Sequence, residues 1–166
     1  IDDLRILAFN MRRRVDVHLD AATRASLLSR FGYCFDGKAG GSYPPILSTH
    51  EIHAPHAFHV EGRGGPVPVV PIPQAHGDIG SLGFRFGNIA YSPDISDVPE
   101  ASLPLLEGLD VWIIDALRHV PHPNHLTVKQ ALAWIDKLRP KRAILTHLHI
   151  DLDYMKLKRE LPAHVE

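Results

Sequence analysis

The chain has 166 residues, enough for one domain with a buried core, and its composition (45% hydrophobic, 22% charged) is that of a globular protein. A formal net charge of −1, with histidine neutral, gives no electrostatic case for a nucleic-acid or membrane surface. Cys34 is the single cysteine, which excludes an intrachain disulfide and points to a reducing, cytoplasmic setting, and no apolar run is long enough to span a bilayer.

Asp2 and Asp3 sit where a helix N-terminus favours acid, so residues 2–11 are predicted helical. "RRRVDVHLD" alternates and predicts a short strand near 14–18. Asp20 is placed to cap a helix over "AATRASLLSRFGYCF". "DGKAGGSYPP", 36–45, is a loop by composition and the best candidate for a mobile segment. From 46 to 92 the pattern is β: "ILSTHEI", "AFHVEG", "PVPVVPIP", "LGFRFG" and "NIAYS" read as short strands, the last two joined by a hairpin at Gly87-Asn88. From 99 on, helices and strands alternate. "PEASLPLLEG" is predicted as a helix opened by Pro and closed by Gly, and "DVWIIDAL" as a buried strand. "TVKQALAWIDKLRP" is an amphipathic helix stopped by Pro140, "RAILTH" the last buried strand and "YMKLKREL" a final helix. The expected class is α/β, with helices covering a sheet that is antiparallel in its middle.

Twelve histidines raise the prospect of metal or acid–base chemistry, because imidazole is the commonest ligand and proton carrier near neutral pH. Four places pair such a residue with a strand end. His76 in "PQAHGD" precedes a glycine that lets the chain turn, and is either a ligand or a solvent-facing turn residue. Asp94 in "IAYSPD" either caps a turn or binds a cation. "DALRHVPHPNHLT" places His119, His122 and His125 on a loop that Pro121 and Pro123 keep out of helix, just after Asp115. Folding has no need of three imidazoles there, whereas Thr127 reads as a helix cap. His147 follows the last buried strand, at the kind of strand end where α/β sites assemble. Behind it come His149, Asp151 and Asp153, the two acids read as caps of the final helix. His50, His53, His56 and His59 recur every third residue in a strand-and-turn segment, so they point to opposite faces and are discounted.

In the segments "AHGDIGSLGFRFGNIAYSPDISDVPEAS", "GLDVWIIDALRHVPHPNHLTVKQAL" and "KRAILTHLHIDLDY", the order of these residues resembles the second half of the metallo-β-lactamase superfamily. The resemblance is greatest to the branch of phosphodiesterases that open phosphoribosyl cyclic phosphate. It implies an αββα sandwich over residues 1–166 as a single domain, incomplete at its N-terminus because the H-x-H-x-D-H motif has no counterpart and "IDDLR" is expected directly after it. It further implies His76, Asp94 and His147 as metal ligands, with Asp94 bridging two divalent ions, zinc or manganese, and a metal-bound hydroxide as nucleophile. His125 is implied as the catalytic loop histidine, with His122 a second candidate. The ions are expected to be absent or partial in a piece lacking the upstream motif. "THLHIDLDY" departs from the branch's T-H-x-x-H-D-L-D-H after His147, so the resemblance assigns no site role to His149, Asp151 or Tyr154.

The expected activity is that of a metal-dependent phosphodiesterase on a small cyclic phosphate or nucleotide-like ester, without membrane or nucleic-acid partners. A sheet lacking its other half would expose apolar surface, so a homodimer is expected. The alternatives are a thioester or nucleic-acid hydrolase on the same fold, or a degenerate nucleotide-binding member.

Overall fold

The computed structural model describes residues 1–36 and 44–166; the loop expected at 36–45 lies mostly outside them. The chain divides into two compact units, Ile1–His53 and Ala54–Glu166. The first holds helix α1 (Leu4–Met11), strand β1 (Val15–Leu19), helix α2 (Ala21–Phe31) and strand β2 (Leu47–Glu51), with β1 and β2 paired in parallel. Asp20 caps α2 as expected, accepting from the Thr23 N–H at 2.7 Å. The α2 prediction ran too far, because the chain tightens into a 3₁₀ turn at Gly32–Cys34. Asp3 takes the cap position of α1 without a side-chain bond, while Asp2 accepts from the Tyr33 hydroxyl at 2.8 Å.

The second unit is built on a six-stranded sheet in the order β3 (Phe58–Val60), β4 (Val67–His76), β5 (Ile79–Phe86), β6 (Ile89–Ser92), β7 (Val111–Asp115) and β8 (Arg142–Thr146). Pairing is antiparallel from β3 to β6 and parallel from β6 to β8. The switch follows from the connections, since a two-residue hairpin at Gly87-Asn88 can join only antiparallel neighbours. The later strands are joined by crossovers, and the β7–β8 crossover carries helix α3 (Val128–Leu138). Helix α4 (Tyr154–Glu160) follows β8.

Strand β4 carries Pro68, Pro71 and Pro73, yet it lies inside the sheet. Its parity explains this. Ala75 bonds away from β5, to Asp97 (3.1 Å) and Ser96 (2.8 Å), so Pro71 and Pro73 face the same open side beyond the end of β3. No ladder bond is lost there, and the outward Pro73 carbonyl accepts from the Ser102 hydroxyl at 2.7 Å.

The segment expected as a helix at 99–108 is a 3₁₀ helix, Glu100–Leu106, with Pro104 inside it. Proline has no N–H for an i−4 bond and its ring crowds the preceding turn, so an α-helix does not form. α3 begins on a full capping box: Thr127 accepts from the Gln130 N–H, and the Gln130 side chain bonds back to the Thr127 N–H. Its Val128, Ala131 and Ile135 enter the core with Trp112, Ile114 and Ile72. Each large apolar side chain buried there is worth roughly 1.5–3 kcal/mol. Asp153 caps α4, accepting from the Lys156 N–H at 2.8 Å, whereas Asp151, expected to share that role, lies 3.0 Å from His149 Nδ1 instead. Among the described residues no helix is long and apolar enough to cross a membrane.

Candidate active site

Strands β4, β6, β7 and β8 run in the same direction, because β4 and β6 are each antiparallel to β5 and the later pairs are parallel. Their C-terminal ends therefore share one rim. His76 ends β4, Asp94 lies two residues past β6, Asp115 ends β7 and His147 follows β8. The loop after β7 brings His122 and His125 to the same place. The ring of His125 is 4.8 Å from that of His76, 5.1 Å from that of His122 and 4.6 Å from that of His147. His147 Nδ1 lies 3.2 Å from Asp94 Oδ1. The five residues that the resemblance assigns to the site, His76, Asp94, His122, His125 and His147, thus meet in one cluster. His147 turns into it with a left-handed φ of 61°, strain of the kind found at functional sites.

Local partners fix which face each imidazole offers. His76 Nδ1 lies 2.8 Å from the Asn124 main-chain oxygen. A carbonyl only accepts, so Nδ1 carries the proton and Nε2 keeps its lone pair. His125 Nδ1 is 2.6 Å from Asp115 Oδ2, which also accepts from the Ile95 N–H at 3.2 Å. That carboxylate oxygen is an acceptor, so His125 Nδ1 donates and its Nε2 is free. His122 is the reverse: its Nδ1 accepts from the Asn124 N–H at 3.2 Å, which leaves its neutral ring with the proton on Nε2. The first two imidazoles can ligate or take a proton, while His122 can donate a hydrogen bond.

Electrostatics follow the same division. Burial pushes the Asp115 carboxyl above its usual range, and the bonds from His125 and Ile95 act against it. His122 is held below the usual histidine range, chiefly by desolvation and then by the neighbouring His125. His125 and Asp115 are sheltered, at 13% and 0% side-chain exposure, whereas His147 and Asp94 are open at 42% and 49%. One ligand atom each from His76, Asp94 and His125 lies within 4.8 Å of the others, and Asp115, His125 and His147 form a second such group. These nitrogen and carboxylate donors fit a divalent cation.

His119 does not join the cluster. It lines a separate hollow with Val128, Leu132, Leu157 and Leu161. His50 pairs with Asp16 at 2.9 Å and stacks on His18, and the other histidines of its run take no part in the ligand groups found among the described residues. Sequence reasoning gave no role to Asp115 or to Asn124. It also missed Ser81, whose hydroxyl donates to the Asp94 main-chain oxygen at 2.5 Å and accepts from the Gln74 amide at 3.3 Å. A carboxylate closing an otherwise apolar strand was the one signal that could have flagged Asp115.

The family described as the beta-lactamase superfamily domain matches residues 1–148. A protein of Porphyromonas gingivalis named octanoyltransferase is 28% identical over 170 residues, covering 99% of this chain and 32% of that protein. The crystal structure of a diphosphatase from the PhnP family is similar at 33% identity and a TM-score of 0.85, covering 99% of this chain and 60% of that one. The metallo-beta-lactamase fold protein YhfI from Bacillus subtilis shares the fold at 15% identity and a TM-score of 0.71, over 96% of this chain and 64% of that one. The chain thus spans less than two thirds of each of these proteins.

Proposed function

This chain belongs to the beta-lactamase superfamily, and on that footing we propose that the protein, in its full natural length, is a metal-dependent hydrolase of small phosphate esters or diphosphates. The observation that carries the reading is the convergence of His76, Asp94, His125 and His147 on one sheet rim, with the Nε2 lone pairs of His76 and His125 left free. The similarity to a PhnP-family diphosphatase supports phosphate as the scissile group.

His76, Asp94 and His147 would hold divalent cations, zinc or manganese. When bound, such ions neutralise phosphoryl oxygens and lower the pKa of water. Asp94 has two carboxylate oxygens and can serve two ions. His125 presents its Nε2 lone pair beside these ligands, placed to take a proton from the attacking water and pass it to the leaving oxygen. His122 presents an Nε2–H, suited to a phosphoryl oxygen. The sheltered His125 and open Asp94 make the cluster dry on one side and accessible on the other.

The test is turnover of bis-p-nitrophenyl phosphate, cyclic ribose phosphates and a nucleoside diphosphate ester, with bound metal measured in parallel. We expect activity with manganese or zinc that chelation removes. Asp94→Ala should lose both metal and activity, and His125→Ala activity with metal retained. A full-length protein with no metal and no turnover rejects the proposal. An acyl thioester belongs in the same panel, because one relative is named an octanoyltransferase.

A further inference from the structure

We propose that a hollow between the C-terminal end of α1 and the start of β2 is a second binding site, for a small organic phosphate: a phosphate group carried on an apolar or aromatic body of about mononucleotide size. The hollow lies wholly within the first unit, Ile1–His53, and shares no residue with the histidine cluster.

The hollow measures about 410 Å³, within the range of small-molecule sites. Its lining combines Arg12, Arg13 and Arg14 with the apolar Phe9, Pro44 and Pro45. The Val15 N–H donates to the Ile46 main-chain oxygen at 2.8 Å, which holds the starts of β1 and β2 together beneath these side chains. Arg13 is already engaged, since its guanidinium meets Asp16 at 2.9 Å. Arg12 and Arg14 have no acidic partner among the described residues. Residues 37–43 contain Lys38 and no acid, so that stretch of sequence brings no carboxylate to neutralise them.

Arg12 also stands where glycine is the usual residue. It ends α1 with a left-handed φ of 52°, which glycine adopts without strain. A single cation would suffice to offset the negative end of the helix dipole, and three follow one another here. The carbonyls that would repel an anion are occupied: Phe9 O accepts from the Arg12 N–H and Ala8 O from the Arg13 N–H, each at 3.2 Å. Two guanidinium groups without a carboxylate suit a phosphate, whose oxygens accept paired N–H bonds. Phe9, 51% exposed, and the proline rings offer apolar surface to the body that carries the phosphate, and a planar body can stack on the Phe9 ring.

The experiment is titration calorimetry on the protein at full natural length, with a chelator present so that no cation at His76, Asp94 or His147 attracts the phosphate. The probes are AMP, inorganic phosphate and adenosine. We expect AMP to bind with a Kd below about 1 mM, and phosphate and adenosine each to bind at least roughly tenfold more weakly. Arg12→Gln combined with Arg14→Gln should weaken AMP binding roughly tenfold or more, whereas Arg30→Gln, an exposed arginine in the last turn of α2, should leave it unchanged. Four results overturn the proposal. Wild-type protein that does not bind AMP does so without any variant. Phosphate or adenosine binding as tightly as AMP removes the combined site. AMP binding that survives the double substitution places the ligand elsewhere. An equal loss from Arg30→Gln reduces the effect to diffuse charge attraction. No turnover is read and no metal is present, so failure here leaves the proposed function standing, and failure of that function leaves this site to be decided by AMP binding.

Discussion

Nδ1 of His76 lies 2.8 Å from the main-chain oxygen of Asn124, 48 residues further along the chain. The bond ties the end of β4 to the loop after β7, and it leaves Nε2 of His76 as the only ring atom open to a cation. The residue after His76 makes this approach possible. Gly77 has a φ of 62°, and a Cβ there would collide with the Asn124 side chain.

Gly77→Ala should therefore weaken the site more than the fold. The left-handed backbone costs a non-glycine residue roughly 1–2 kcal/mol, and the new Cβ would push on the Asn124 side chain, next to the main-chain oxygen that holds His76. We expect a stability loss of that size in urea, with a larger fractional loss in manganese affinity by calorimetry. Equal losses in both would mean that Gly77 serves only the turn.

Ser81→Ala should loosen Asp94. It removes the donor to the Asp94 carbonyl and the acceptor for the Gln74 amide, whose other amide atom, Oε1, is already buried without a partner among the described residues. Leaving a second buried polar group unpaired costs about 1–3 kcal/mol. Urea denaturation reads the loss, and an unchanged midpoint would show that a water takes the place of the hydroxyl.

Thr127→Ala tests the capping box that starts α3 two residues beyond His125. The expected cost is about 1 kcal/mol, seen as a lower Tm, because the Gln130 N–H loses its acceptor. Thr127→Ser should recover most of it, since the hydroxyl is what the cap requires.

Tyr33 supplies a pH signature outside the site. Its hydroxyl donates to the Asp2 carboxylate, and this bond pushes the phenol up to about 12. The folded value lies above the ordinary one near 10, so the contact contributes fully below that pH and is lost as the pH rises through about 12. Phenolate absorbance should show a late titration step that Tyr33→Phe abolishes and Asp2→Asn moves to lower pH. Tyrosines that all ionise together near their ordinary value would show the contact to be absent in solution.

Much of the fold was legible because it depends on short-range chemistry. The hairpin at Gly87-Asn88, the caps at Asp20, Thr127 and Asp153, and the apolar face of α3 each follow from residues a few positions apart. The misreadings are of the same kind: Pro104 forbids the α-helix that its flanking residues invite, and Asp151 lost the capping role to its neighbour Asp153. Apart from the resemblance, which singled out His125 and then His122, His119 looked equivalent to them, since nothing in "RHVPHPNH" says which way each ring turns.

By itself, then, the sequence determined the α/β class, the strand ends and the order in which His76, Asp94, His125 and His147 occur along them. Those properties reside in local periodicity and in turn and cap residues. Only the tertiary structure decided that these ends share one rim, which depends on strand direction across β5. It alone also assigned the imidazole protons, because each is set by an acceptor or donor that is distant or unpredictable in sequence. The Asn124 carbonyl, the Asp115 carboxylate and the Asn124 N–H make three similar histidines into two lone-pair donors and one hydrogen-bond donor.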